Sequence, residues 1–476
     1  MEKLTIKTVQ SWFSKSSEIQ TRKIKVNNCF VYVCYIDCLV DKLYISQHII
    51  APILNLNSAS KTSIINSITA AEIEEIFNKE QIIDAILNGK TIIFAENKNF
   101  AVAANAIKFN MRSISEPPTS QVTKGPREGF VEDISTNLSM IRRKLKSPYF
   151  SQENITVGKQ TKTKLSIVYL ENIADTKMVS VIKNKLQNIN IDGIIDSYYI
   201  ETILEEGKLK FLRRIGNSEK PDVIAAKLLE GRIAILVDGS PIVLTLPFLL
   251  VEDLQSPEDY YTIPARTSFL RIIRLLGLII SVLLPGIYVS LQSYQYRVLP
   301  INFLITLLSS IEGISLPPLI EILFVLFLFD IINEASARMP KILGMALSII
   351  GALVLGETSV QAGIISSPSI VVVAISSIML FIVPDDVPQG SVLRILFTVI
   401  GGVAGFYGML MSFIMVTTYL ISADGYGTPL LYPYAPTNKN DKQDAIFKKN
   451  LLNLKHRPEI IAKKNLVRFK AGEKHD

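Results

Sequence analysis

The chain has 476 residues, 49% of them hydrophobic and 20% charged, with a formal net charge of +7. That is too long for one ordinary core, and the apolar residues gather in the second half, so a soluble part followed by a membrane part is expected. Met1 to Lys15 hold lysines but no apolar h-region, which argues against a cleavable signal peptide and leaves the N-terminal half on the cytoplasmic side.

Residues 1–24 are polar and read as a mobile N-terminal segment. A first cytoplasmic α/β subdomain is expected over 25–116. Its β-branched and aromatic run Phe30-Val31-Tyr32-Val33 reads as a strand, Ala70 to Asn88 as a helix ended by Gly89, and Thr91 to Ala95 as a strand. Cys29, Cys34 and Cys38 lack a fourth metal ligand and CxxC-like spacing, so they read as core thiols in a reducing compartment. Pro117, Pro118, Gly125 and Pro126 form a linker.

The second cytoplasmic α/β subdomain is expected over 125–262. Helices are expected at Asp133 to Lys146, Thr176 to Gln187, Tyr198 to Glu206 and Pro221 to Glu230, the last with Pro at its start and Gly231 after its end. Leu165 to Leu170, Ile233 to Val237 and Ile242 to Leu246 read as strands, the last two joined by the hairpin signal Asp238-Gly239-Ser240-Pro241.

From 268 to 421 the sequence has the apolarity of a membrane domain. Arg266, Arg271 and Arg274 precede a span at Leu275 to Leu291 and hold that side in the cytoplasm. Leu299 to Leu308 falls short of the ~20 residues a crossing needs and reads as a re-entrant or interfacial segment. Leu319 to Ala337 is a second span, flanked by Arg338 and Lys341, and 342–366 reads as broken half-helices. Ser369 to Val383 and Ile395 to Ile421 are the last spans, the latter with Gly401 and Gly405 spaced for close helix approach. This makes about four spans plus re-entrant segments, with both ends cytoplasmic; a six-span version also fits. The fold class is therefore mixed: an N-terminal soluble α/β region of two subdomains followed by a polytopic α-helical membrane domain.

The sharpest signal is charge inside that apolar half. Between Leu275 and Leu393, Arg297, Arg338 and Lys341 stand against Glu312, Glu321, Asp330, Glu334, Glu357, Asp385 and Asp386, a balance of −4 in a basic chain. A charge in hydrocarbon costs at least ~2.5 kcal/mol, so it usually faces a protein interior or water. Glu321, Asp330, Asp385 and Asp386 are candidate lumen carboxylates. Glu334 and Arg338, four apart, are a candidate intramembrane ion pair. Glu357 and Gln361, one turn apart in the small-residue segment 342–366, are candidate pore or gating residues with Val360 and Gly363.

No Gx4GK[ST], GxSxG or HExxH motif occurs, so no enzyme and no cofactor are expected. Gly425-Tyr426-Gly427 follows an apolar helix and reads as a turn. The tail 437–476 carries a net +6 without interleaved aromatics, which suits attraction to anionic membrane lipid better than nucleic acid.

Several strings together resemble the GerA family of spore germination proteins. They are Gly125-Pro126-Arg127-Glu128-Gly129-Phe130, Asn137 to Leu145, Pro221 to Leu229, Gly231 to Pro241, Gln255 to Tyr261, Pro285 to Val289, Glu334 with Arg338, Pro340 and Lys341, and Gly351 to Gly363. The resemblance runs from about residue 28 to 430. It implies the A subunit of a nutrient germinant receptor in the spore inner membrane, acting with a transporter-like B subunit and a lipoprotein C subunit. It also implies a homo-oligomer forming a nutrient-gated cation channel. The stage V sporulation AF protein, a close relative, shares these motifs. The rival classes are a secondary transporter, suggested by broken helices with midplane charges, and a membrane-anchored signalling scaffold, which leaves the acidic spans without a role.

Overall fold

The structure, a computed structural model, describes residues 4–14, 19–27, 29–108, 124–205, 213–340, 349, 351, 354–383 and 387–468. The chain forms two units. The first is Met1–Leu249 with Gly425–Thr428 and Leu451–Asp476, and the second is Leu250–Asp424 with Pro429–Asn450.

The first unit holds two subdomains. One contains α1 (Ile6–Ser11), β1 (Ile19–Val26), β2 (Cys29–Ile36), a helical stretch over 42–54, α2 (Lys61–Ser67), β3 (Ile73–Ile76), α3 (Lys79–Leu87), β4 (Lys90–Ala95) and β5 (Ala101–Asn105). The strands make an antiparallel sheet in the order β1-β2-β4-β5-β3. Side chains alternate across it, as the two-residue period of a strand demands. Tyr32, Cys34 and Ile36 face a cluster with Val9 of α1 and Ile82 and Ile86 of α3, while Val31 and Val33 face Ile49, Ile53 and Ile64. Both faces are covered, so β2 is apolar throughout.

The other subdomain contains α4 (Ile134–Lys144), β6 (Phe150–Val157), β7 (Thr163–Leu170), α5 (Thr176–Gln187), α6 (Ser197–Leu204), β8 (Gly216–Ser218), α7 (Pro221–Leu229), β9 (Ile233–Val237) and β10 (Val243–Leu246). Its antiparallel sheet runs β6-β7-β9-β10-β8. Ile167, Ile235 and Leu244 pack under α5 and α6 on one face; Val168, Ala234 and Val243 pack under α4 and α7 on the other. Renumbered from its own first strand, this order is the same as in the first subdomain. Two hairpin strands, helices, an edge strand, a helix and two closing strands recur in both, a repeat that the residues do not display.

Three stretches differ from the sequence reading. α1 and most of β1 lie inside 1–24, which composition assigns to a mobile segment. Thr5 caps α1, Leu4 and Val9 are buried, and β1 pairs along its whole length with β2. Over 70–88 the expected helix is shorter: Ile73–Ile76 pairs with β5 instead, and Asn78 with Gln81 forms a capping box that starts α3. The basic tail is not free over 451–468. Ile461 and Ala462 are buried, Arg457 Nε donates to the Leu229 carbonyl at 2.7 Å, and Arg468 meets Glu230 at 2.8 Å. Its charges are spent on helix-end carbonyls and a carboxylate of the second subdomain.

The second unit is helical: α8 (Pro264–Ser293), α9 (Ile301–Ile311), α10 (Pro318–Arg338), α11 (Ser367–Leu380) and α12 (Val387–Ser422), with short helical turns at Val354–Thr358 and Ser359–Gln361. Two of these, α8 and α12, are long and apolar enough to cross a membrane by length and composition.

The span expected at Ile395 to Ile421 is not one straight helix. Gly405 has φ 65 and ψ −163, outside the helical region. The chain doubles back there into limbs 387–404 and 406–422. A Cβ on Gly408 would lie 3.3 Å from Ile400 Cγ2, and one on Gly401 would lie 3.0 Å from Met409 Sδ. Leu393 and Val416 pack on the same cluster of Val282, Phe397 and Met409, although a straight helix would hold them ~34 Å apart. The bend frees carbonyls of the first limb, and Tyr294 Oη lies 3.0 Å from both Gly402 O and Val403 O.

Candidate functional site: the polar network of the helical unit

Ser366 opens α11, and its backbone N–H and Oγ both donate to Glu321 Oε1, each at 2.7 Å. Glu321 is 1% exposed. Its carboxylate thus sits at the positive end of a helix dipole with two donors, which is how an anion is held in an apolar interior. Ser369 and Tyr288 extend this network at 2.9 and 3.5 Å. Glu321 is therefore closed off from solvent in this chain and serves as a helix cap.

Asp330, two and a half turns further along α10, meets a different partner. Arg394 of the first α12 limb donates through Nη2 to Asp330 Oδ1 and through Nη1 to Ser377 Oγ, both at 3.0 Å. The Arg394 side chain is 1% exposed and that of Asp330 36%. This pair joins α10, α11 and α12. Arg394 escaped the sequence reading because the charge window ended at Leu393. A lone arginine in the apolar run Val392 to Val403 is itself the signal that would have found it.

Glu334 and Arg338 form the expected i,i+4 pair, with Nη2 to Oε1 at 2.5 Å, but their side chains are 65% and 79% exposed. Within this chain it is a surface pair, worth at most ~0.5 kcal/mol in water. Glu357 is exposed and accepts from Gln361 Nε2 at 3.3 Å, so the two share one helix face. Val360 is half-buried, and Gly363 holds φ 64 beside the Gly313 carbonyl. Asp385 and Asp386 lie outside the described residues, as does Lys341. Among the described residues no cluster of His, Cys, Asp and Glu is suited to a metal ion.

A second cluster sits where α8 begins. Asp259 Oδ2 is 3.0 Å from Arg271 Nε and 2.8 Å from Arg274 Nη1, and Arg271 Nη1 also reaches Asp444 Oδ1 at 3.0 Å. Arg271 is fully buried. Lys448 donates to the Asp259 carbonyl and stands 4.7 Å over the Tyr260 ring. Arg271 and Arg274, which read as free charges preceding a span, are thus neutralised by the Gln255 to Tyr261 string and by the segment after α12. Of the three expected cytoplasmic arginines, Arg266 alone is exposed.

Comparison with known proteins matches residues 7–460 to the family described as Bacillus/Clostridium GerA spore germination protein. The chain belongs to the GerA family. Spore germination protein KA of Bacillus subtilis (strain 168) is 34% identical over 95% of this chain and 85% of its own length. Spore germination protein GerQA of Bacillus cereus is 31% identical over 98% and 95%. The uncharacterized membrane protein YfkQ of Bacillus subtilis (strain 168) is 28% identical over 91% and 86%. The crystal structure of the N-terminal domain of the A subunit of the Bacillus megaterium spore germinant receptor GerK3 covers 50% of this chain and 92% of that one, at 29% identity and a TM-score of 0.40. This member of the GerA family pairs an N-terminal α/β part with a C-terminal helical part, and the family is one of spore germination proteins.

Proposed function

We propose that this chain is the A subunit of a nutrient germinant receptor in the spore inner membrane, acting with a transporter-like B subunit and a lipoprotein C subunit. Copies of it oligomerise so that their helical units enclose a nutrient-gated path for cations. The chain is not an enzyme in this reading. The soluble unit and both ends lie in the cytoplasm. The bend at Gly405 divides the span expected at Ile395 to Ile421 into two shorter limbs.

The observation that carries the reading is the charge left over once internal pairs are subtracted. Asp330 is matched by Arg394, Glu334 by Arg338, and Glu321 is consumed as a cap. Glu312 and Glu357 then have no ion-pair partner among the described residues and stand against Arg297 alone, a remainder of −1. Glu357 shares its face with Gln361 at a break in the helices, and rings of carboxylates are a known means of favouring cations. Reversal potentials of the reconstituted receptor under a KCl gradient test this. Cation preference that weakens in Glu357→Gln, with the complex intact, supports the reading; anion preference overturns it.

A further inference from the structure

The chain leaves the helical unit for four residues. The second limb of α12 ends at Ser422, Gly425–Thr428 belongs to the soluble unit, and Pro429 is back in the helical one. Tyr426 and Gly427 have φ of 55 and 74, the pattern of a two-residue turn between the short strands Asp424–Gly425 and Thr428–Pro429. Glycine adopts that conformation freely. A bulky tyrosine does not, so its ring has to be held by what it touches.

Among the described residues, three contacts within that unit hold it. Tyr426 Oη donates at 2.8 Å to the carbonyl of Leu204, the last residue of α6, where no intrahelical donor remains. Lys185 of α5 stands 4.9 Å over the ring. The ring also packs against the core that contains Ile182, Leu186, Ile200 and Leu204. Lys185 and Ile203 line an open cavity of about 680 Å³ together with Val181, Asn184, Asn188 and Ile191. One side of the grip therefore borders an open groove and not packed core.

We infer that Tyr426 is a coupling anchor. The ends of α5 and α6 grip its ring, and any displacement of these helices passes through residues 423–425 to the end of the limb 406–422. The inference rests on the reading that the helical unit is the gated part of the receptor. It adds the place where the soluble unit takes hold of a gated helix.

Two variants of the full-length chain test it. Tyr426→Asn keeps a residue that tolerates the left-handed turn and removes the ring; Tyr426→Phe removes the hydroxyl alone. In spores with normal subunit abundance, a dilution series of complex nutrient broth should show the half-maximal dose shifted about tenfold by the Asn variant and less by the Phe variant. In the purified full-length protein, hydrogen exchange of 198–205 and 424–428 should quicken in both. Faster exchange with an unchanged dose response overturns the inference, as does unchanged exchange. If the Asn variant lowers protein abundance, the Phe variant decides by the same two measurements. A wild-type receptor that carries no cation current, beside an Asn variant that still shifts the dose response, sinks the conduction reading and leaves the anchor standing.

Discussion

Gly286 and Gly401 meet backbone to backbone. A Cβ on Gly401 would stand 2.4 Å from the Gly286 carbonyl oxygen, and one on Gly286 would stand 2.6 Å from that of Phe397. Any side chain at either position would push α8 off the first limb of α12. Small residues are what allow helices to approach this closely in an apolar medium. The same spot is closed from the far side by Met409, whose Cε would lie 2.9 Å from the Gly286 Cβ. Both limbs of the hairpin therefore depend on one missing methyl group.

Gly401→Ala is expected to cost ~1–3 kcal/mol as an overpacked contact. Gly356→Ala makes the control, since nothing lies within 4 Å of its Cβ position. Thermal unfolding of the purified full-length chain should fall by several degrees for the first variant and stay level for the second. Equal midpoints would mean that the helices give way freely.

The Asp330–Arg394 pair should behave as a buried ion pair, and Glu334–Arg338 as a surface one. Removing Asp330 leaves Arg394 uncompensated, and such a loss typically costs ~3–5 kcal/mol. Asp330→Asn should therefore lower protein abundance sharply, and Asp330→Asn with Arg394→Gln should recover much of it. Glu334→Gln should have little effect. Abundance by immunoblot across the four strains decides, and a harmless Asp330→Asn would count against the pairing.

Acid stability of the soluble unit should depend on Glu153. Burial raises its carboxyl, but hydrogen bonds from Lys183 at 2.5 Å and Tyr169 at 2.9 Å outweigh that and hold it below the ordinary value. A depressed carboxyl stabilises the fold fully above the unfolded value of about 4.3 and loses that stabilisation as pH falls through the folded one. Lys183→Met should thus be less stable than wild type at pH 7, with the difference vanishing in strong acid. Tyr169 acts with the opposite sign. Burial pushes its hydroxyl up to about 12, so its contribution is present below the ordinary tyrosine value and lost as pH rises through about 12. Urea midpoints across pH check both limbs; a Lys183→Met difference that persists unchanged into acid excludes the Glu153 mechanism.

Cys34 should be inert in the native protein. Burial pushes its thiol up to about 12, and the thiolate is the nucleophile. Cys29 and Cys38 are half-buried. Alkylation with iodoacetamide followed by peptide mass mapping should find Cys34 modified only after denaturation. Native labelling of Cys34 at the rate of Cys29 would contradict the burial.

Much of the soluble fold was legible because its elements carry local signals. Pro221 and Gly231 bracket α7, and the hairpin β9–β10 stands where Asp238-Gly239 places it. β1 was not legible, since Gln20, Thr21, Arg22, Lys23 and Lys25 look like a solvated segment until β2 supplies the pairing. Ile73-Glu74-Glu75-Ile76 suits a helix as well as an edge strand, and only β5 decides. In the helical unit the carboxylates were visible as charges, but only Glu334 with Arg338, four apart on one helix, was visible as a pair. Which acid meets Arg394 depends on helix packing, and no spacing along one helix reveals it. The bend at Gly405 was hidden for a similar reason, because four glycines from 401 to 408 signal close packing and reversal alike.

The twin sheets have a consequence for how the chain stays unaggregated. Each is open, so each presents two unpaired borders, β1 and β3 in one, β6 and β8 in the other. An open border is a template for a second chain. β1 carries Arg22, Lys23 and Lys25; β3 carries Glu74 and Glu75, tied to Lys90 and Lys61; β8 is three residues long. All four borders are thus guarded by charge or brevity, β6 through Glu153, tied to Lys183. β6 runs for eight residues and holds Ser, Gln, Glu and Asn in a row before Ile155. Its polar run keeps this border from offering a flat apolar edge to another copy of the chain.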